Sequence, residues 1–330
     1  MIHQKNNHRM KTISYSHIGT RQNNEDSLGT ITNAFVVCDG MGGHGNGEIA
    51  SKFVVDEVLH LIEKKQLKIT KETITELLET VQGNLNKKLN TQPELLKMGT
   101  TFTGVFFAKE SVFIAHIGDS RVYVVRPSEQ KIWHTWDHSL VGGLMQSGEI
   151  TREKGRLHPM SHRISKAITA NDKNKTVKAA IVQFNSIKKG DLFFLCSDGV
   201  NEAWKEHKLM ALLCNTDLTS KEKLKKIETQ CAQESRDNNT AILLEIEAAN
   251  VIDNGRKNDE VGWISLHDFN LDYNVHLENI KREAEEDEVM LEPEEVNGTI
   301  KVREIAVFTT RNFIVALIIL VIVAALVIIC

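Results

Sequence analysis

No two of the five cysteines (Cys38, Cys196, Cys214, Cys231, Cys330) form a CxxC pair, and their number is odd. This excludes a disulfide framework and a zinc knuckle, and it places the globular part in a reducing compartment. An excess of positive charge is also missing. Forty Lys and Arg stand against 44 Asp and Glu, a formal net charge of −4, so no nucleic-acid partner is indicated. The first residues, MIHQKNNHRMKTIS, lack an apolar run, and no secretory signal is expected. No internal repeat is evident. What is present is a chain of 330 residues, 41% of them hydrophobic, which suffices for a real core in one large domain or two ordinary ones.

One long apolar run stands out. Phe313 to Cys330 reads FIVALIILVIVAALVIIC, 18 residues without a charge, glycine or proline. As a helix it would extend about 27 Å, close to the hydrocarbon thickness of a bilayer. A buried core helix would need apolar neighbours on every side, which the preceding segment does not supply, so a single membrane span is expected. Lys301, Arg303 and Arg311 lie just before it. By the positive-inside bias they keep the globular part cytoplasmic. The expected organisation is a globular domain over 1–250 and a linker over 251–300. A basic juxtamembrane stretch with the span follows over 301–330. The linker is acidic at Lys281–Glu295 and holds an apolar, aromatic patch at Val261–Val275 that predicts a small docked element.

Within the first part, eight runs read as strands: AFVVCDG, TFTGVFFA, SVFIAHIGD, RVYVVRP, KIWHTW, TVKAAIVQF, DLFFLCSDG and NTAILLEIE. Ala50, Val54, Val58 and Ile62 form a helical stripe over Gly47–Lys65, and Ile74, Leu77, Leu78, Val81 and Leu85 form another over Thr70–Leu89. Two more helices are predicted at about 201–213 and 220–234. The helices come in consecutive pairs, not between successive strands. That order predicts an α+β fold of antiparallel sheets with helices packed outside them.

The chemistry concentrates where strand-like runs end on aspartate. VVCDGMGGHGNGEIAS carries Asp39 followed by five glycines within eight residues; GTRQNNEDS carries Arg21, Glu25 and Asp26. HIGDSRVYVV carries Asp119, LFFLCSDGV carries Asp198, and SRDNNTAILL carries Asp237 and Asn238. One Asp-Gly pair is an ordinary turn. Several aspartates at the mouths of adjacent strands would converge, repel and resist desolvation, a cost that a divalent cation removes. An all-oxygen ligand set suits Mg²⁺ or Mn²⁺. A nearby arginine can grip an oxyanion with two hydrogen bonds. Two such ions about 4 Å apart would share a water and direct it at phosphorus. Metal-assisted phosphate hydrolysis is the chemistry these residue types support.

The series Arg21…Glu25-Asp26, DGMGGHGNGE, GTTFTG, GDSRVY, DHSLV, SDGV and DNNT, in this order over residues 12–247, resembles the bacterial type of the PPM family of metal-dependent serine/threonine protein phosphatases. The resemblance implies a four-layer α-β-β-α sandwich, two antiparallel sheets flanked by helix pairs, with a dinuclear Mn²⁺ or Mg²⁺ centre at one end. It implies that Asp39 bridges the ions, that the Gly40 carbonyl binds one of them, and that Asp198 and Asp237 complete a shell. Glu25 and Asp26 match the acidic pair beside the centre, Asp26 acting through water. Arg21 matches the phosphate-gripping arginine, and Asp119, with Asp198, the site of a weaker third ion. Asn238 is expected to orient Asp237 or a water.

Met41 occupies the position where animal-type members carry a proton-donating histidine, which leaves the general acid unassigned; His44 and a metal-bound water are the alternatives. Arg163 is a candidate substrate contact. Asp137, His138 and Ser139 are neighbours in one loop and do not make a hydrolytic triad. The expected partners are phosphorylated Ser/Thr proteins, a cognate kinase and the membrane. The rival reading is a pseudophosphatase serving as a regulatory binding module.

Overall fold

The computed structural model describes residues 9–42, 46–89, 92, 98–171, 176–249 and 261–271. The chain divides into two compact units, Met1–Leu277 and Glu278–Cys330, and every described residue belongs to the first. The apolar run Phe313–Cys330, the acidic stretch and His44 therefore lie outside the described residues. Among those described, no helix is long and apolar enough to cross a membrane.

In chain order the first unit begins with β1 (Arg9–His17), β2 (Asp26–Ile31), β3 (Ala34–Met41), α1 (Asn46–Lys65) and α2 (Lys71–Leu89). It continues with β4 (Gly99–Thr100), β5 (Phe102–Phe107), β6 (Val112–Ile117), β7 (Arg121–Arg126), β8 (Lys131–His134), α3 (Leu140–Gln146) and α4 (Arg152–Arg156). Then come β9 (Ile168–Thr169), β10 (Ala180–Phe184), β11 (Leu192–Cys196), α5 (Asp198–Ala203), α6 (Glu206–Cys214), α7 (Ser220–Glu234) and β12 (Asn239–Ala248). A strand β13 (Ile264–Ser265) and a helix α8 (266–271) close the unit. One sheet has the order β1-β12-β11-β7-β8-β13. The other runs β10-β6-β5-β3-β4-β9, with β2 added on β3. The strand pairs are antiparallel, as expected.

Successive residues of a strand face opposite sides, and here both sides are covered. Phe35, Val37, Val105, Phe193, Leu195, Ile242 and Leu244 belong to one buried cluster, between the sheets. Their neighbours Ala34, Val36, Cys38 and Phe106 turn outward onto Ala50, Val54 and Val58 of α1 and Ile74, Leu78 and Val81 of α2. Leu192, Phe194, Cys196 and Leu243 turn the other way, onto Val200, Leu209, Leu213 and Ile227 of α5–α7. Three clusters between four layers explain the uninterrupted apolar runs. A fully buried side chain of this kind contributes about 1.5–3 kcal/mol.

The predicted helix over 201–213 is two helices. Trp204 and Lys205 are extended, and the Trp204 indole donates to the carbonyl of Ile227 in α7 (3.4 Å). The aromatic anchor thus interrupts the helical phase. Helix α7 starts on a reciprocal capping box between Thr219 and Glu222.

Candidate active site

The predicted acidic residues arrive at one end of the sandwich by strand register. Asp26 at the start of β2 lies opposite Asp39 near the end of β3. The Thr101 hydroxyl accepts from the Asp39 amide (2.9 Å) and bonds Ser120 Oγ (2.7 Å), which draws the β6–β7 turn with Asp119 alongside. Ser197 Oγ donates to Asp26 Oδ2 (2.7 Å) and accepts from the Thr240 amide (3.0 Å), tying in Asp198 from the β11 end and Asp237 from just before β12. A cavity of about 620 Å³ is lined by Arg21, Glu25, Asp39, Gly40, Asp119, Asp198, Asp237 and Asn238, among others. A second, of about 700 Å³, shares Arg21, Asp119, His162, Asp198 and Asp237 and extends under α3 and α4 to Arg156, Trp204 and Arg236.

The electrostatics are those of crowded, desolvated acids. Burial first, then the charges of Asp198, Asp26 and Asp119, push the Asp39 carboxyl well above the carboxylate range. Asp39 and Asp198 share a side-chain hydrogen bond, and Asp198 is also raised, chiefly by burial. Burial raises Asp26 to about 7 and Asp119 to about 8. Glu25 is raised by burial too. Asp26 Oδ1 is buried without a partner. Among the described residues, no three acid or imidazole side chains are already closed around a point as a finished metal cage would be. The donor set nevertheless fits a hard divalent cation: several oxygens, no sulfur, an orphaned carboxylate oxygen, and protonation that only positive charge would relieve.

Glycine makes the cradle possible. A Cβ on Gly40 would sit 2.2 Å from the Gly47 carbonyl oxygen and 2.6 Å from that of Glu25. Only a bare backbone lets β3, the start of α1 and the Glu25 loop meet there.

The loop carrying Arg21 is laced to the segment before β12. The Thr20 amide and hydroxyl both donate to the Arg236 carbonyl (3.0 and 2.9 Å). Arg21 Nη2 donates to Asp237 Oδ2 (2.6 Å), which raises the guanidinium's already high pKa. Asn238 meets the Asp237 carboxylate, as expected, but through its main chain, and its side chain is used elsewhere. Its side chain accepts from the Glu25 amide (2.8 Å) and donates to the carbonyls of Ile18 (2.8 Å) and Asn23 (2.9 Å). It pins the loop backbone, whereas Asp237 Oδ1 accepts from the Asn238 main chain (2.8 Å).

Arg163 is exposed and lines neither cavity. Arg156, Arg236 and His162 line the larger one, and sequence reasoning did not single them out. Met41 lines the smaller cavity and offers no proton there. Sequence reasoning also missed a buried ion ladder along the wall of the larger cavity. Asp137 takes Arg121 in a two-pronged pair (2.6 and 2.7 Å), Arg121 Nη1 reaches Glu206 Oε1 (3.1 Å), and Glu206 Oε2 accepts from Arg152 Nη1 (3.1 Å).

The family described as protein phosphatase 2C matches residues 13–245. The serine/threonine protein phosphatase PstP of Mycobacterium tuberculosis is 31% identical over 193 residues, 58% of this chain, which spans only 36% of that relative's length. The serine/threonine phosphatase stp of Listeria innocua is 30% identical over 233 residues, 68% of this chain and 90% of that protein. A crystal structure of the catalytic domain of PstP in complex with two manganese ions is similar to this fold, with a TM-score of 0.62 at 26% identity. The likeness covers 72% of this chain and 99% of that one.

Proposed function

From a chain that belongs to the protein phosphatase 2C family, we propose hydrolysis of phosphoserine and phosphothreonine in proteins, with two Mn²⁺ or Mg²⁺ ions bound and a weaker third. The observation that carries the reading is the single cavity in which Arg21 faces Glu25, Asp39, Asp119, Asp198 and Asp237. Asp39, the Gly40 carbonyl, Asp198 and Asp237 would hold the pair of ions, with Glu25 and Asp26 beside them; Asp119 with Asp198 would hold the third. When bound, such ions activate water and neutralise phosphoryl charge.

The chain's own residues do the rest. Arg21 is the oxyanion clamp, and Asp237 holds its guanidinium in place. Ser197 orients Asp26, and Asn238 fixes the backbone on which Glu25 and Arg21 stand. The rival reading, a pseudophosphatase binding module, has less support, because the acids it would be free to lose are gathered in one cavity.

The test is Mn²⁺-dependent release of phosphate from a phosphothreonine peptide by the full chain. Turnover is expected with Mn²⁺ or Mg²⁺ and none with chelator; no turnover with either ion would overturn the reading. Arg21→Ala is expected to raise KM for the peptide about tenfold to a hundredfold, the worth of one charge-assisted clamp.

The membrane is part of the proposal. The 18 apolar residues Phe313–Cys330 and the basic residues before them support a single span with the catalytic domain on the cytoplasmic side. Substrates would then be cytoplasmic proteins modified by a membrane-associated kinase. The full chain is expected to stay in the membrane pellet through alkaline carbonate washing; release into the supernatant would remove the tether.

A further inference from the structure

The family match ends at residue 245, yet the chain returns to the catalytic unit beyond it. β13 pairs with β8, Ile264 opposite Ile132 and Ser265 opposite Lys131, so β8 is not left as a bare sheet edge. The Leu266 amide donates to the Gln130 carbonyl (2.8 Å). Ser265 Oγ accepts from the Asp268 amide (3.0 Å) and donates to its carboxylate (2.7 Å), starting α8. Trp263 lies edge-on to Phe184 and under the Arg126 guanidinium (4.8 Å). Phe269 is 1% exposed.

What Phe269 covers is informative. Its ring lies 4.5 Å from the centre of the Arg152 guanidinium, and Trp136 lies 4.6 Å from the same centre. Arg152 thus packs on two aromatic rings while Nη1 donates to Glu206 and Nη2 meets His134 Nε2 at 2.7 Å. Arg152 is the first residue of α4, and Gly155 and Arg156 of α4 form part of the wall of the larger cavity. A Cβ on Gly155 would meet Met145 Sδ at 2.2 Å, so α4 and α3 touch closely there.

We propose that residues 261–271 are a clasp for the substrate cavity: Phe269 positions Arg152, and Arg152 positions α4 over the acidic centre. Phe269 and Arg152 are positioning residues. They set the shape of the cavity that a phosphoprotein enters, not the phosphoryl chemistry. The inference rests on the phosphatase reading for its substrate, but the contact itself is independent of activity. A small ester needs only the acidic centre and Arg21, so it is blind to the clasp.

The experiment uses the full chain with Mn²⁺ and compares Phe269→Leu and Phe269→Ala, alone and combined with Arg152→Lys. Leucine keeps apolar volume and removes the ring face; lysine keeps the charge and loses the planar stack. Phe269→Leu is expected to raise KM for a phosphothreonine peptide about 3- to 10-fold, between the worth of an exposed and of a fully desolvated cation–π contact, with kcat on p-nitrophenyl phosphate within about twofold. The combined effect with Arg152→Lys should fall short of the product of the two single effects. Amide hydrogen exchange over 152–157, where the Gly155 amide donates to the Thr151 carbonyl and the Leu157 amide to that of Glu153, should speed up in both Phe269 variants. Unchanged KM and unchanged exchange in Phe269→Leu overturn the clasp, and so do fully multiplicative effects with Arg152→Lys. If Phe269→Ala does not fold, Phe269→Leu decides alone. If the parent chain has no turnover at all, the phosphatase reading falls, and the exchange measurement still judges the clasp.

Discussion

Asp39→Asn is expected to lower kcat/KM for a phosphothreonine peptide by about 10³-fold in Mn²⁺, the loss of several kcal/mol of charge stabilisation. It should do so without lowering Tm in chelator. The second half of the expectation distinguishes a functional acid from a structural one. Asp39 is pushed far up by burial and by the charges of Asp198, Asp26 and Asp119 around it. Asp198, Asp26 and Asp119 are each raised as well, burial again being the first cause. Such a cluster works against folding when nothing positive is bound, because each added charge must be desolvated beside the others. An amide is nearly isosteric with the neutral, protonated carboxyl that burial and the neighbouring acids favour at Asp39, so in chelator the variant should melt no lower than the parent. In Mn²⁺ the parent should gain stability by mass action and the variant should gain less. Turnover kinetics and melting curves with and without Mn²⁺ check both halves. A variant that melts several degrees lower in chelator would mark Asp39 as a packing residue. One that keeps its rate would remove it from the centre.

Much of this arrangement was legible in the sequence, for a physical reason. Strands covered on both faces must be apolar at every position, and Leu192–Cys196 shows it: alternate residues serve two different clusters. The acids could be read because each interrupts such a run next to a glycine or another polar residue. β1 was not legible. Its sequence RMKTISYSH has few apolar residues, and its strand state comes from the partner β12, paired from Arg9 opposite Ala248 to His17 opposite Asn239. The two-residue strands β4, β9 and β13 carry no periodic signal at all. At the site, the cation that matters beside α4 depends on which way a turn faces. Arg156 lines the cavity and Arg163 does not, although both lie in a stretch of similar polarity. The Arg21–Asp237 pair and the side-chain work of Asn238 needed the knowledge that residues 18–24 meet residues 236–238. No local pattern supplies that.

Glu206→Gln is expected to cost about 3–5 kcal/mol at pH 7, the usual consequence of removing one partner from a buried ion pair. In a unit of this size that is roughly a 10 °C fall in Tm. The ladder Asp137–Arg121–Glu206–Arg152 is balanced, two negative groups against two positive. Neutralising Glu206 removes the carboxylate that Arg121 and Arg152 share beside the rings of Tyr123, Trp136 and Phe269. Replacing the whole ladder by apolar groups need not be costly; breaking it in the middle is. The pH dependence gives the proposal its sign. Despite burial, the guanidiniums of Arg121 and Arg152 hold the Glu206 carboxyl below its ordinary value. Its stabilisation is therefore present above the unfolded value near 4.3 and is lost as pH falls below it. The gap in stability between parent and variant should be widest near neutrality and should close in acid. His134 adds a separate slope in the parent. Burial, then Arg152, holds its imidazole down to about 4, with Nε2 facing Arg152 and Nδ1 bonded to the Thr135 carbonyl. A base depressed on folding costs stability as pH drops from about 6.5, where the unfolded chain takes the proton, to about 4, where the folded one does. Denaturant unfolding of both proteins from pH 8 down to about pH 2 reads both effects. A constant gap at every pH would mean that Glu206 is not the charged rung of the ladder.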